Sequence, residues 1–297
     1  MLSVAVNVKV TRRRALLLGT GLFAAGAAGG MKAWSRDGGT RLATSESPRY
    51  VSMDLTTTER TPLPAGAANT ATSTSRPLPS PTPTRTPAPP PPDWSAEDLR
   101  QPIAWGSTER PLVGLTIDDG WSCRDEVLEV LQARKVQPTF FLTGRAIVGD
   151  YGFIARALDA GCEIGNHTMD HYNLTDKSSA YIRKDLEDFE QLVKSVVGLG
   201  STRPFMRPSG GDVNATINAA SAEAGYRPVL WSVSSGDGSA STTADGMTRN
   251  ILANARPGAI VLMHFGPRAV DALPGIIDGL RSQGLEPVSL SRLFSPA

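Results

Sequence analysis

Two cysteines in 297 residues are too few for a disulfide scaffold or a cysteine-rich zinc site. Histidine is nearly as scarce, with three in the chain, so the position of each is informative. Strong net charge is also missing, at +1 overall, but the balance is uneven along the chain. Residues 1–92 carry 11 Lys+Arg against 4 Asp+Glu, a net of +7; residues 93–297 carry 19 against 25, a net of −6. An acidic C-terminal part lacks the clustered basic surface that phosphate binding needs, which excludes nucleic acid as its main partner. Beyond the N-terminus there is no run long and apolar enough for a membrane span.

Proline is abundant but confined. Twelve of the 23 prolines lie between Pro48 and Pro92, in a stretch that cannot hold a packed core. Residues 35–92, rich in Pro, Thr and Ser, read as a disordered linker that tends to polyproline II toward its end. At ~3.1 Å per residue its full extension is on the order of 180 Å, enough for a spacer across a cell-wall layer. Ahead of it, residues 1–34 join the basic segment Thr11-Arg-Arg-Arg-Ala-Leu-Leu17 to an apolar run with small residues around Ala24–Gly30. That is the pattern of a secretory signal. The pair Arg12-Arg13 resembles a twin-arginine signal, a route for proteins exported already folded. Left uncleaved, the same run is a marginal membrane anchor. The expected location is secreted or cell-surface. What remains, residues 93–297, is the size of one larger domain.

In that domain short apolar runs alternate with helical stretches. Strands are predicted at Leu112–Ile117, Thr139–Leu142, Glu163–Gly165, Pro204–Met206, Pro228–Val233, Ala259–Met263 and Leu285–Val288. Helices are predicted at Cys123–Lys135 (capped by Ser122), Tyr151–Ala160, Ser179–Val197, Asn214–Ala224 and Val270–Gln283. The last two stop at Gly225 and Gly284, which suit the left-handed position after a helix. Seven strands, each followed by a helix or loop, fit a parallel α/β fold, a (β/α)7 barrel or an open doubly wound sheet. In a barrel the site lies where strands open into the following loops. Polar residues gather there: Asp118 and Asp119 after the first run, His167 after the third with His171 just beyond, Arg207 after the fourth, Asp237 past the fifth, and His264 after the sixth. All three histidines sit at strand ends or just past them. Cys123 and Cys162 fall toward opposite ends of the barrel, too far apart for a bridge, and are expected as free thiols.

Asp119, His167 and His171 are ligand types that suit Zn²⁺ with positions left open, and Asp118 beside them is free to act as a base. The segments Thr116-Ile-Asp-Asp-Gly120, His167-Thr-Met-Asp-His171, Arg207-Pro-Ser209, Asp237 and Leu262-Met-His264 occur in the order found in the polysaccharide deacetylases of carbohydrate esterase family 4, the NodB-homology domain. The resemblance covers roughly residues 111–294. It implies a distorted (β/α)7 barrel that hydrolyses N-acetyl, sometimes O-acetyl, groups on carbohydrate polymers. It further implies a divalent metal, Zn²⁺ first and Co²⁺ or another ion second, on Asp119, His167 and His171. Asp118 becomes the base, His264 the acid, Arg207 the group that orients Asp118, and Asp237 the partner of His264. Leu262 lines the acetyl-methyl pocket, and the Gly210 N–H helps hold the oxyanion. The implied partner is an acetylated amino-sugar polymer, peptidoglycan or chitin-like.

The chain departs from the family at two places. Ser209 and Gly210 stand where a proline and an aromatic residue are usual, and Gly238 follows Asp237 where tryptophan is common. Both changes bear on substrate choice. Other readings of the same residues are an O-acetyl esterase, a small-amide hydrolase, a non-catalytic carbohydrate-binding homologue, and, from the two-His-one-carboxylate set alone, a non-haem iron oxygenase.

Overall fold

The computed structural model describes residues 90–198 and 200–296. The expected export signal, and the expected linker up to residue 89, lie outside the described residues. Among the described residues no helix is long and apolar enough to cross a membrane.

Eight strands form one parallel sheet: β1 (Leu112–Asp119), β2 (Thr139–Leu142), β3 (Glu163–Asn166), β4 (Phe205–Met206), β5 (Arg227–Pro228), β6 (Val233–Ser234), β7 (Ile260–His264) and β8 (Glu286–Val288). Their order is β5-β4-β3-β2-β1-β7-β6, with β8 paired to the start of β1. Strands buried on both faces need continuous apolar runs, which is why Val113, Leu115 and Ile117 of β1 are fully buried beside Phe140, Phe141 and Leu142 of β2. The sheet curls into the distorted (β/α)7 barrel expected from the resemblance.

Helices α2 (Arg124–Ala133), α3 (Gly152–Asp159), α4 (Ser179–Val197), α5 (Ala215–Glu223), α6 (Ala244–Asn254) and α7 (Pro267–Ser282) follow strands in turn, with α1 (Ala96–Leu99) before β1 and α8 (Leu290–Phe294) after β8. The α4 span is as predicted. Gly225 and Gly284 do take left-handed positions after α5 and α7, at φ +81° and +77°.

Three expectations need correction. Ser122 does not cap α2; Cys123 is the N-cap, in a left-handed conformation (φ +54°) with no side-chain cap bond. The chain turns sharply at Cys123, so the helix starts one residue later. The run Pro228–Val233 is not one strand. Its start pairs with β4 and its end with β7, and the passage between them links the two ends of the strand order. Along that passage the Val229, Leu230 and Ser232 N–H groups donate to Met206, Ile103 and Ile260. Pro228 still pairs with Met206, and pairing with β4 stops after Val229. Finally α6, capped by Thr243, was not expected in the Gly/Ser/Thr-rich segment after Asp237.

The end of the barrel where strands begin is closed by α8 and the entering chain. Leu290 and Leu293 of α8 are buried with Phe141, Phe205 and Ile260. Trp94 packs edge-on against Phe205 and Phe294, at 5.5 and 5.3 Å between ring centroids. The Arg227 guanidinium lies 4.5 Å over the Trp94 ring. Cys123 and Cys162 are free.

Candidate metal centre

The strands deliver the site residues to one end of the barrel. Asp118 and Asp119 terminate β1, His264 terminates β7, His167 follows β3, and Arg207 follows β4. In register, Asp118 pairs with His264, so the expected base and acid are neighbours across two strands. The turns that aim the ligands are strained. Asp119, Thr168 and His171 have φ of +79°, +69° and +58°, a conformation that costs a non-glycine residue on the order of 1 kcal/mol or more. Such strain persists only where surroundings enforce it.

Those surroundings are hydrogen bonds. The Thr168 N–H donates to Asn166 Oδ1 at 2.9 Å, and the His171 N–H donates to Thr168 Oγ1 at 3.0 Å. From α4, the buried Asp185 carboxylate accepts the N–H groups of Met169 and Asp170 at 2.9 and 3.1 Å. Burial pushes the Asp185 pKa up to about 6, against the lowering effect of those two bonds.

Asp119 Oδ1 lies 3.2 Å from His167 Nε2 and 3.0 Å from His171 Nε2. Among the described residues these three form a group whose ligand atoms all lie within 4.8 Å of one another. His167 Nδ1 lies 2.7 Å from the Arg207 carbonyl. An N–H there must donate, which leaves the Nε2 lone pair facing Asp119. Asp119 Oδ1 is buried and receives no hydrogen bond. Burial works to raise its pKa, but the two facing imidazoles outweigh this and hold the carboxyl well below the usual carboxylate range. A convergent, ionised, unsatisfied oxygen beside two imidazole nitrogens fits a divalent cation.

Asp118 is buried but differently committed. Its Oδ1 accepts a 2.6 Å bond from Arg207 Nη1, while Oδ2 lies 3.9 Å from His167 Nε2, facing the cluster without joining it. Arg207 is fully buried, and each of its three guanidinium nitrogens donates a hydrogen bond. It also donates to Thr116 Oγ1 and to the Val229 and Leu230 carbonyls exposed by the break between β5 and β6, and its guanidinium lies 4.3 Å over the Phe141 ring.

His264 Nδ1 lies 2.9 Å from Asp237 Oδ1, and its backbone N–H donates to Asp237 Oδ2 at 2.6 Å. Burial works to lower the His264 pKa, but Asp237, with smaller contributions from Asp118 and Asp119, raises it to about 9. Reciprocally, burial works to raise the Asp237 pKa, and His264 holds it below its ordinary value. Leu262 is buried in β7 opposite Thr116. Gly210 is exposed at the rim, in the left-handed region (φ +79°), beside Asn173 and Asp212. No described contact ties it to the other expected site residues.

Two residues that sequence patterns did not single out support the site. Asp185 lies on the apolar face of α4, beside Ile182, Leu186 and Phe189; a carboxylate on that face was the available signal. Arg268, in the first turn of α7, donates to the carbonyls of Asp237, Ser239 and Thr242 at 2.8, 2.8 and 2.6 Å. A cation is disfavoured at a helix N-terminus, so its position there pointed to an outside partner.

The polysaccharide deacetylase family model matches residues 106–229. A peptidoglycan-N-acetylglucosamine deacetylase of Bacillus cereus is 32% identical over 209 residues, covering 65% of this chain and 95% of the relative. The chain belongs to the polysaccharide deacetylase family. A chitooligosaccharide deacetylase of Azorhizobium caulinodans is 34% identical over 174 residues, covering 58% of this chain and 81% of the relative. Among solved structures, a carbohydrate esterase family 4 pseudoenzyme from Bacillus anthracis superposes with a TM-score of 0.62 at 27% identity, covering 66% of this chain and 69% of the other.

Proposed function

We propose that the protein hydrolyses N-acetyl groups on an extracellular or cell-wall amino-sugar polymer, peptidoglycan or chitin-like, and releases acetate. The observation that carries this reading is the convergence of three elements. A three-ligand cluster (Asp119, His167, His171) stands beside a buried, Arg207-held Asp118. Paired in register with Asp118 is a His264 kept cationic by Asp237. Relatives named as deacetylases of peptidoglycan and of chitooligosaccharides support the substrate class.

The cluster would hold a divalent ion, zinc by ligand type, whose chemistry is to polarise the acetyl carbonyl and acidify bound water. The chain's own residues divide the remaining work. Asp118 Oδ2 faces the cluster and accepts a proton as water attacks the carbonyl carbon, while Arg207 fixes the rotamer through Oδ1. His264, protonated below about pH 9, gives its proton to the amide nitrogen as the C–N bond breaks. Asp237 orients that imidazole and stabilises its charge. The methyl group falls to Leu262, and the Gly210 N–H at the rim assists the oxyanion.

The segment around Arg12-Arg13 and the proline-rich stretch behind it support export and a tether at the surface. The non-catalytic reading is opposed by the presence of every ligand together with both proton-transfer groups. Acetate release from an N-acetylated glucosamine oligosaccharide, with and without a chelator, tests the proposal. Absence of release at full metal loading would sink it, and chelator-insensitive release would remove the metal from it.

A further inference from the structure

An acetyl group held between the ligand cluster and His264 must have its nitrogen on the His264 side, because His264 protonates that nitrogen. The sugar attached to the nitrogen therefore lies on the outer side of His264. The surface there has a hollow of about 300 Å³, lined by Ser122, Asp237, Gly238, His264, Gly266 and Arg268. Nothing stands within 4 Å of where a side chain would begin at Gly238 or Gly266, so the floor is open. The volume lies at the small end of the range for ligand sites, on the scale of one sugar unit rather than a length of polymer.

Phe265, Pro267 and Ala269 give the hollow some apolar surface of its own. A larger apolar surface stands next to it in the chain, at the residue before Ser122. Trp121 exposes 50% of its surface at the mouth of the site. Its indole is fixed edge-on against the His171 imidazole, with ring centroids 6.0 Å apart and an interplanar angle of 81°. The β1–α2 loop thus places a half-exposed indole against a ligand of the cluster and the next residue in the wall of the hollow. A half-exposed indole held against a residue of the cluster offers an apolar face to a ligand there. A pyranose has one: its axial C–H groups stack on a ring while its hydroxyls stay free for polar neighbours.

We infer, on the deacetylase reading above, that Trp121 is the stacking platform for the pyranose that carries the scissile N-acetyl group, seated in the hollow beside His264. Trp121→Ala and Trp121→Phe, made in the full chain with its metal, test this. In an Asp118→Asn background, in which turnover is strongly slowed, calorimetry measures binding of an N-acetylglucosamine tetrasaccharide. Trp121→Ala should weaken it about tenfold or more, and Trp121→Phe, which keeps a ring, less than about threefold. In the active enzyme the same change should appear in KM with kcat moving little. Metal content should equal that of the parent. Unchanged affinity in Trp121→Ala, or no measurable binding by the parent, overturns the assignment. So does an equal loss in both variants accompanied by metal loss, which would make the indole a prop for His171. A protein that binds the tetrasaccharide through Trp121 yet releases no acetate would instead overturn the deacetylase reading and leave the platform standing.

Discussion

The guanidinium of Arg268 donates to the main-chain carbonyl of Asp237 at 2.8 Å, so the residue that pairs with His264 is held from behind by the first turn of α7. Two further bonds from the same guanidinium, to Ser239 and Thr242, pin the loop that carries Asp237. His264, the proposed acid, therefore depends on a chain of contacts that runs from Arg268 through Asp237.

That chain predicts a pH dependence. His264 has a raised pKa, so its acid form is complete at neutral pH and is lost as pH rises through about 9. Asp237→Asn should bring the pKa back toward the ordinary 6.5. The alkaline limb of the rate profile then moves down, and activity at pH 8 falls about thirtyfold from the protonated fraction alone. Arg268→Ala should move the limb the same way by less, and Arg268→Lys less again. An alkaline limb that stays in place in Asp237→Asn would mean His264 is not the titrating acid.

Asp118 and Asp119 are adjacent and have opposite commitments, one to Arg207 and the other to two imidazoles. Asp119→Ala should lose metal and activity together. Asp118→Asn should keep the metal and lose about 10²–10⁴-fold in kcat, the usual worth of a positioned proton acceptor. Elemental analysis beside acetate release reads both. A metal-free Asp118→Asn protein would reverse the two assignments.

Asp185 holds the Met169 and Asp170 amides from α4 and so shapes the loop between the two histidines. Its replacement by alanine should lower metal affinity about 10–100-fold, the range seen for groups that orient ligands. A competitive metal titration measures this, and circular dichroism checks that the fold is kept. Wild-type affinity would show that the strained loop holds itself.

The two cysteines differ in access. Cys162 is buried, and burial raises its pKa to about 12, whereas Cys123 is half-buried beside the mouth. One thiol per chain should alkylate in the native protein and two after denaturation. A chain with no reactive thiol when denatured, and a two-dalton gain on reduction, would establish a bridge.

Export is tested by changing Arg12 and Arg13 to lysine. If the twin-arginine route carries the protein, the variant stays inside the cell. Normal secretion of the variant would assign it to the general route.

Much of the site was legible because β-strands bury apolar runs and leave polar residues only at their ends. Asp118, His167, Arg207 and His264 each stand where such a run stops. The broken strand was not legible, since Pro228–Val233 reads as one apolar stretch and only three-dimensional pairing divides it between β4 and β7. The cap of α2 was missed because a side-chain pattern at Ser122 does not reveal the left-handed backbone at Cys123. Helix α6 was hidden in small polar residues with little periodicity. Asp185 and Arg268 act on backbone N–H and C=O groups, which every residue carries, so no pairing of residue types announced them.

Trp94 brings the chain onto the domain among Phe205, Phe294 and Arg227, at the end where the strands begin. A pull from anything upstream is therefore applied at the base of the barrel, and it passes into α8 and the strand starts. The loops that carry the carboxylates and imidazoles are at the far end and bear none of that load. Whatever precedes Trp94 in the chain therefore joins the domain at the end opposite the site.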